Sequence, residues 1–204
     1  MSTARRSGRR PGDSGTREAI LAAARHSFGT AGFRATTIRG VAATAGVDPA
    51  LVHHYFGTKQ GLFSAAQELP FDPAVLVPHL LADGAAGLGE RVVRTFLGVW
   101  DATPGQGPLL ALLRSAVTDE QAAASLRDFL SGAVTEPLAR AVAPDHVRLR
   151  AALVAAQMIG LAMARYVVRL EPVAWAGPED LAPALGQALD RYLTGPLRST
   201  DHPA

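Results

Sequence analysis

Few residues of this chain are equipped to make or break bonds. Its 204 residues include no cysteine, which removes thiolate nucleophiles, disulfides and cysteine-ligated zinc. The six histidines are scattered, and no glycine-rich phosphate loop, HExxH, GxSxG or paired-carboxylate pattern stands in the sequence. No catalytic residue, metal ligand or cofactor is therefore expected. His53 and His54 are neighbours, but on a helix they diverge by about 100° and do not share one metal ion. The informative chemistry lies in residues 36–59, TTIRGVAATAGVDPALVHHYFGTK. Val52 and Phe56, four apart, form the inward stripe of a short helix and leave Pro49, Ala50, Leu51, His53 and His54 mainly outward. Ring nitrogens and small apolar groups on a protruding helix suit the base edges of a DNA major groove.

A preceding helix and a tight turn must position those residues. Thr36 or Thr37 can cap a helix whose apolar positions, Ile38, Val41, Ala42 and Ala45, recur every three to four residues. Gly46 can take the left-handed conformation that closes it, with Val47 packing inward. Asp48 can accept from the free amides of the next helix, and Pro49 suits its first position. Upstream, from Thr16 to Ala31, Ile20, Ala24 and Phe28 make an i, i+4, i+8 stripe, Gly32 is placed to close the helix and Phe33 to fold back on it. The pattern predicts three helices, the last two joined as a helix-turn-helix.

On these residues the segment TREAILAAARHSFGTAGFRATTIRGVAATAGVDPALVHHYFGTKQGLF resembles the N-terminal domain of the tetracycline-repressor (TetR) family of bacterial transcription regulators, over about residues 16–68. The resemblance implies an all-α protein. An N-terminal three-helix helix-turn-helix domain would bind double-stranded DNA, and a C-terminal helical bundle would bind a small-molecule effector and dimerise. It also implies that Arg39 contacts a base or a phosphate, an arginine being able to grip guanine bidentately. Pro49, Ala50, Leu51 and His53 would lie at base edges, Leu51 suiting a thymine methyl. Tyr55 and Lys59, the only lysine of the chain, would meet the DNA backbone, with Thr37 offering its hydroxyl or amide to a phosphate. Two positions depart from the family pattern. A tyrosine is frequent where His53 stands, so the phosphate contact it makes would pass to His54 or Tyr55. Gly40 replaces an acidic residue or an alanine, and glycine inside a helix costs about 1 kcal/mol.

Charge follows the same division. Residues 1–60 hold nine Arg/Lys against three Asp/Glu, a net of +6, and residues 61–204 hold eleven against fifteen, a net of −4. A positive face gains affinity for phosphates through counterion release. Four of the nine, Arg5, Arg6, Arg9 and Arg10, lie in the leading tail, yet residues 16–60 keep a net of +3. Residues 1–15 read as a disordered basic tail, which can either lie in a minor groove or remain solvated. It is no secretory signal, because the nearest apolar run, Ala19 to Ala24, is short and is cut by Arg25 and His26. Residues 16–62 would form the DNA-binding domain, 63–196 the effector-binding and dimerisation domain, and 197–204 a flexible C-terminus. A reducing, cytoplasmic location suits the lack of cysteine.

Beyond Phe63 the pattern predicts helices near 58–68, 73–83, 87–102, 107–117, 119–142, 145–171 and 179–194. Thr118-x-x-Gln121 reads as a capping box for 119–142, and Gly177-Pro178 introduces the last helix. The 145–171 helix is apolar nearly all round and must be buried on more than one side. Only Ala151 to Ala164 are uncharged, short of the roughly 20 apolar residues of a membrane span, so its cover is expected to be protein. Ala152, Ala156, Gly160 and Ala164 form a small-residue stripe along it, and the final helix carries a matching stripe of Leu181, Leu185, Ala188 or Leu189, and Tyr192. The resemblance implies that these two helices pair with their copies in a homodimer, intrachain packing being the alternative. The effector pocket is sought by polarity, since no motif transfers it: Arg94, Trp100, Arg114 and Gln157 interrupt apolar stretches, with Met158 beside them. Phe96, Phe129 and Met158 also read as plain core. An arginine-lined pocket would suit a hydrophobic molecule with an acidic group. The whole reads as a ligand-responsive transcriptional repressor on a near-palindromic operator; the competing reading is a helical ligand- or protein-binding module without sequence-specific DNA binding.

Overall fold

The computed structural model describes residues 12–102 and 107–197, and all regular structure among them is helical. The first helix, α1 (Gly12–Ala35), begins four residues before the expected Thr16, so the end of the supposed tail is helical. Arg5, Arg6, Arg9 and Arg10 lie outside the described residues, as does most of the expected flexible C-terminus. Gly32 interrupts α1 at φ 79°, a left-handed value that glycine adopts without a Cβ clash. The buried Thr36 closes the break by donating its hydroxyl to the Gly32 and Ser27 carbonyls. That leaves Thr37 as the cap of α2 (Ile38–Ala45), its Oγ1 accepting from Gly40 N at 3.0 Å.

Gly46 ends α2 in the left-handed conformation, and Val47 N bonds back to the Ala42 carbonyl. Asp48 then caps α3 (Pro49–Phe56) through Ala50 N at 2.7 Å. Thr58 caps α4 (Lys59–Ala66) by the same device. Each short helix thus has one of its orphan amides answered by the residue that precedes it. Ile20, Ala24, Phe28, Val41, Val52 and Phe56 are buried in one core. Its centre is a cluster of rings, Phe28, Phe33, Phe63 and Phe129, with neighbouring centroids 4.6–5.8 Å apart. Phe129 comes from far along the chain, so the N-terminal core is completed by the helical half.

That half contains α5 (Pro73–Leu81), α6 (Leu88–Ala102), α7 (Gly107–Thr118), α8 (Glu120–Phe129), α9 (Glu136–Val142), α10 (Val147–Ala162) and α11 (Pro178–Leu193). The helix expected over 119–142 is divided by a π-helical turn, Leu130–Thr135. Pro137 has no N–H for the carbonyl one turn back and its ring crowds it, so the backbone widens there. The cap of α8 is Asp119, which accepts from Ala122 N at 2.6 Å. Thr118 bonds backward to the Arg114 carbonyl instead, and the expected capping box is not made. Gly177 and Pro178 do open α11.

A second core joins α5, α6, α9, α10 and α11 around Leu88, Leu97, Leu138, Val154 and Leu189. The tightest crossing in it is α6 on α11. A Cβ on Gly186 would fall 2.7 Å from the backbone of Glu90, and one on Gly89 would collide with the Gly186 carbonyl. Asp190 of α11 accepts from Gly89 N at 2.7 Å, capping the start of α6. Two glycines therefore permit this close helix approach.

Helix α10 continues through a π-helical stretch, Met163–Val168. By length and composition it is, among the described residues, the one helix able to cross a membrane. Within its own chain it is buried mainly on one side. Ala151, Val154, Met158 and Leu161 face the core, whereas Ala152, Ala156, Gly160 and Ile159 are exposed and Ala164 is half-buried. Arg150, fully buried near its start, binds Asp145 and donates to the Tyr192 and Gly195 carbonyls at 2.7 and 3.0 Å. It ties α10 to the far end of α11. Leu181, Leu185 and Tyr192 are half-buried and pack partly against this same core.

Candidate functional site

The protruding surface is the outer face of α2 and α3. Val52 (0% exposed) and Phe56 are anchored in the N-terminal core, which leaves Ala50, His53 and His54 exposed and Pro49, Leu51 and Tyr55 half-buried. Tyr55 packs against the core and makes ring contacts with His54 and Phe56. His53 bonds through Nδ1 to the Gly57 carbonyl at 2.8 Å. A carbonyl only accepts, so Nδ1 carries the hydrogen, and Nε2 of the neutral ring is left as an acceptor. A side chain in that state can receive the amino group of adenine or cytosine. It does not reproduce the hydroxyl donation of a tyrosine.

Thr37 and Arg39 are exposed at the start of α2. Arg39 has no ion-pair partner among the described residues. Arg25, by contrast, is held by Glu18, Glu68 and the Ala66 carbonyl. Lys59 serves the fold as well as the surface. Its Nζ donates to the Arg34 carbonyl at 3.1 Å and lies 4.6 Å from the Phe33 ring centre. It thereby ties the start of α4 to the end of α1, where a cation complements the helix dipole. Burial lowers its pKa from the usual lysine value, partly countered by Asp128. Nothing in the local sequence pattern signals this tie, which depends on residues 25 positions apart.

The helical half holds a partly open cavity of about 150 Å³ lined by residues that include Leu76, Val92, Phe96, Trp100, Phe129 and Met158. Of the residues expected there, Trp100 and Met158 are on the wall, and Arg94, Arg114 and Gln157 are not. Arg94 points to the outer face of α6 and pairs with Glu90 one turn back at 2.7 Å. Arg114 is exposed on α7. Gln157 is half-buried on α10, next to the wall residue Met158 but outside the lining. A polar residue inside an apolar run marks a helix's outer face as readily as a pocket, and sequence polarity does not tell the two apart. Phe96 and Phe129, read as plain core, line the cavity. Among the described residues, the only polar side chains on the wall besides Trp100 are Thr95 and Thr135.

Beneath the cavity Trp100 stacks on Tyr166, with centroids 4.6 Å apart and planes 8° off parallel. Tyr166 donates to Asp101 at 2.9 Å. Burial, and then this bond, hold its phenol well above the usual tyrosine value. Arg165 completes the group through Asp101 and the Val173 and Ala176 carbonyls.

A capped helix-turn-helix with an exposed second helix, set on a helical bundle with a cavity, defines a helix-turn-helix transcription regulator. Residues 20–66 match the bacterial regulatory proteins of the tetR family, and residues 86–193 match the tetracyclin repressor-like C-terminal domain. A TetR-family regulator from Streptomyces coelicolor A3 is 41% identical over 92% of this chain and 99% of its own, with a TM-score of 0.55. The HTH-type transcriptional regulator BetI of Rhizobium meliloti (strain 1021) is 49% identical over 49 residues, which span only 24% of that protein's length. The chain belongs to the tetR family of bacterial transcriptional regulators.

Proposed function

We propose that this regulator is a cytoplasmic homodimer that represses transcription from a near-palindromic operator and answers to a small molecule held in its cavity. The observation that carries the DNA-reading part is the outer face of α3. Its exposed Ala50, His53 and His54 rise from a helix whose opposite side is locked in the core. Arg39, Pro49, Leu51 and Thr37 extend that face, and Tyr55 and Lys59 border it. Two such faces related by a two-fold axis fit half-sites about one helical turn apart.

Dimerisation is supported by the uncovered side of α10. Ala152, Ala156 and Gly160 form an exposed small-residue track flanked by Leu149 (54% exposed) and Ile159. Val168 and Leu170 extend the apolar surface past its end. A patch of that kind marks an interaction surface, and small residues let a second helix come close. In this reading α10 supplies the contact, and the partly buried Leu181, Leu185 and Tyr192 of α11 contribute their outer edges.

Effector response is supported by Phe129. It lines the cavity and also packs on Phe33 and Phe63 of the DNA-binding core, at 5.7 and 4.6 Å between centroids. Phe33 N also donates to Ser125 Oγ of α8 at 3.3 Å. Any occupant that displaces Phe129 acts directly on the helices that carry α2 and α3. Such a contact provides the coupling between two sites that ligand-responsive regulation requires.

The test is selection of bound duplexes from a random DNA pool at roughly physiological salt, where non-specific binding is weak. An enriched inverted repeat is expected. Protein that is folded and dimeric yet enriches no sequence would refute operator reading and favour a binding module that does not recognise DNA sequence.

A further inference from the structure

We propose that the cavity takes a neutral, single-ring hydrophobic molecule carrying one carbonyl or hydroxyl oxygen, held by the Trp100 indole N–H, and that it rejects carboxylates and cations. The proposal rests on the reading of the cavity as an effector site and narrows it. Size is the first constraint. About 150 Å³ is the scale at which an apolar protein cavity accepts benzene.

Charge is the second constraint. Among the described residues, no ionisable side chain is on the wall. The nearby charges are already committed: Arg94 to Glu90 on the outer face, and Arg165 to Asp101 and two carbonyls beneath the stacked Trp100 and Tyr166. A carboxylate or ammonium entering this space would lose its hydration with nothing to replace it.

The polar groups supply the third constraint. Trp100 is 5% exposed, and its stacking on Tyr166 sets the plane of the indole. Trp100 Nε1 has no acceptor among the described residues, and the atom keeps accessible surface through which a small partner can reach it. Thr95, half-buried on the same helix and on the same wall, also has no hydrogen-bond partner among the described residues. Thr135 differs, because its hydroxyl is given to the Leu130 carbonyl. An otherwise carbon-lined space with one idle donor and one idle hydroxyl calls for a ligand of matching polarity, with a single oxygen.

Four probes that share one ring separate these terms: acetophenone, ethylbenzene, benzoate and benzylamine, each titrated into the full-length protein and followed by ligand-observed NMR. Acetophenone should bind about three- to ten-fold tighter than ethylbenzene, the margin of one hydrogen bond. Benzoate and benzylammonium should show no saturable binding over the same range. Trp100→Phe should bring acetophenone down to the level of ethylbenzene while ethylbenzene still binds. If that variant does not fold, the order of the four probes on the unmodified protein decides alone. Benzoate binding as well as acetophenone, equal affinity for acetophenone and ethylbenzene, or no binding of either neutral probe would overturn the proposal. The same probes added to the protein–operator complex keep the two readings apart. The expected binding order with no change in operator affinity would leave the cavity chemistry standing and refute effector control. An operator response to benzoate but not to the neutral probes would do the reverse.

Discussion

Two arginines of the DNA-binding domain carry the same charge and should behave in opposite ways when replaced. Arg39 is exposed at the start of α2 and has no ion-pair partner among the described residues. Arg25 is spent inside the fold, on Glu18 at 3.1 Å, Glu68 at 3.3 Å and the Ala66 carbonyl at 3.1 Å. If Arg39 grips a base, Arg39→Ala should cost about 1–3 kcal/mol in each half-site. A dimer reads two half-sites, so the operator should lose about 2–6 kcal/mol, or roughly thirty-fold or more in Kd. If Arg39 meets only phosphate, the loss should be similar for all sequences, and the slope of log K against log salt should fall by about one per protomer. Arg25→Ala should leave the operator Kd of folded protein within about two-fold. Its cost is to stability, about 1–2 kcal/mol from two exposed ion pairs and one backbone contact. Fluorescence anisotropy with a labelled operator duplex at several salt concentrations measures both variants. An Arg39→Ala protein with wild-type affinity and slope would refute the assignment, as would an Arg25→Ala protein weakened to the same extent as Arg39→Ala.

Three further predictions concern the helical half. Arg150→Met should cost about 3 kcal/mol in urea unfolding, the low end for breaking a buried ion pair, because Asp145 is 51% exposed and stays hydrated; a loss under about 1 kcal/mol would mean that Arg150 does not hold α10 to α11. Gly186→Ala puts a methyl 2.7 Å from the Glu90 backbone, so an overpacking cost of about 1–3 kcal/mol should lower Tm by about 2–4 °C for each kcal/mol; an unchanged Tm would show that the crossing can widen freely. Tyr166 has a folded pKa raised above its unfolded value of 10.0 by burial and Asp101, so the stability it contributes is complete below about pH 10 and is lost as pH rises further. Tyr166→Phe should flatten that alkaline decline, and equal declines in the two proteins would exclude Tyr166 as its source.

The N-terminal domain was largely legible in the sequence because its signals are local. Asp48 and Pro49 start α3, Gly46 ends α2, and the stripe of Ile20, Ala24 and Phe28 is separated by whole turns, so each feature depends on neighbours within a few residues. The helical half obeyed the same rules for its helix positions but departed where distant residues decide. Pro137 and the π-helical turn before it divide the 119–142 segment, and Asp119 takes the cap that Thr118 was expected to provide. Periodicity showed that α10 is apolar, but it did not show that only one side meets its own chain. Arg94, Arg114 and Gln157 looked like pocket residues because sequence polarity does not say which way a helix faces. Sequence alone determined the helical class, the helix-turn-helix and its outward residues, since backbone capping and side-chain period are short-range effects. Tertiary packing alone decided that Gly89 and Gly186 set the closest crossing, that Lys59 ties α4 to α1, and that Phe129 borders both the cavity and the DNA-binding core. Contacts between residues tens of positions apart leave no periodic trace, because they depend on how finished helices fit together.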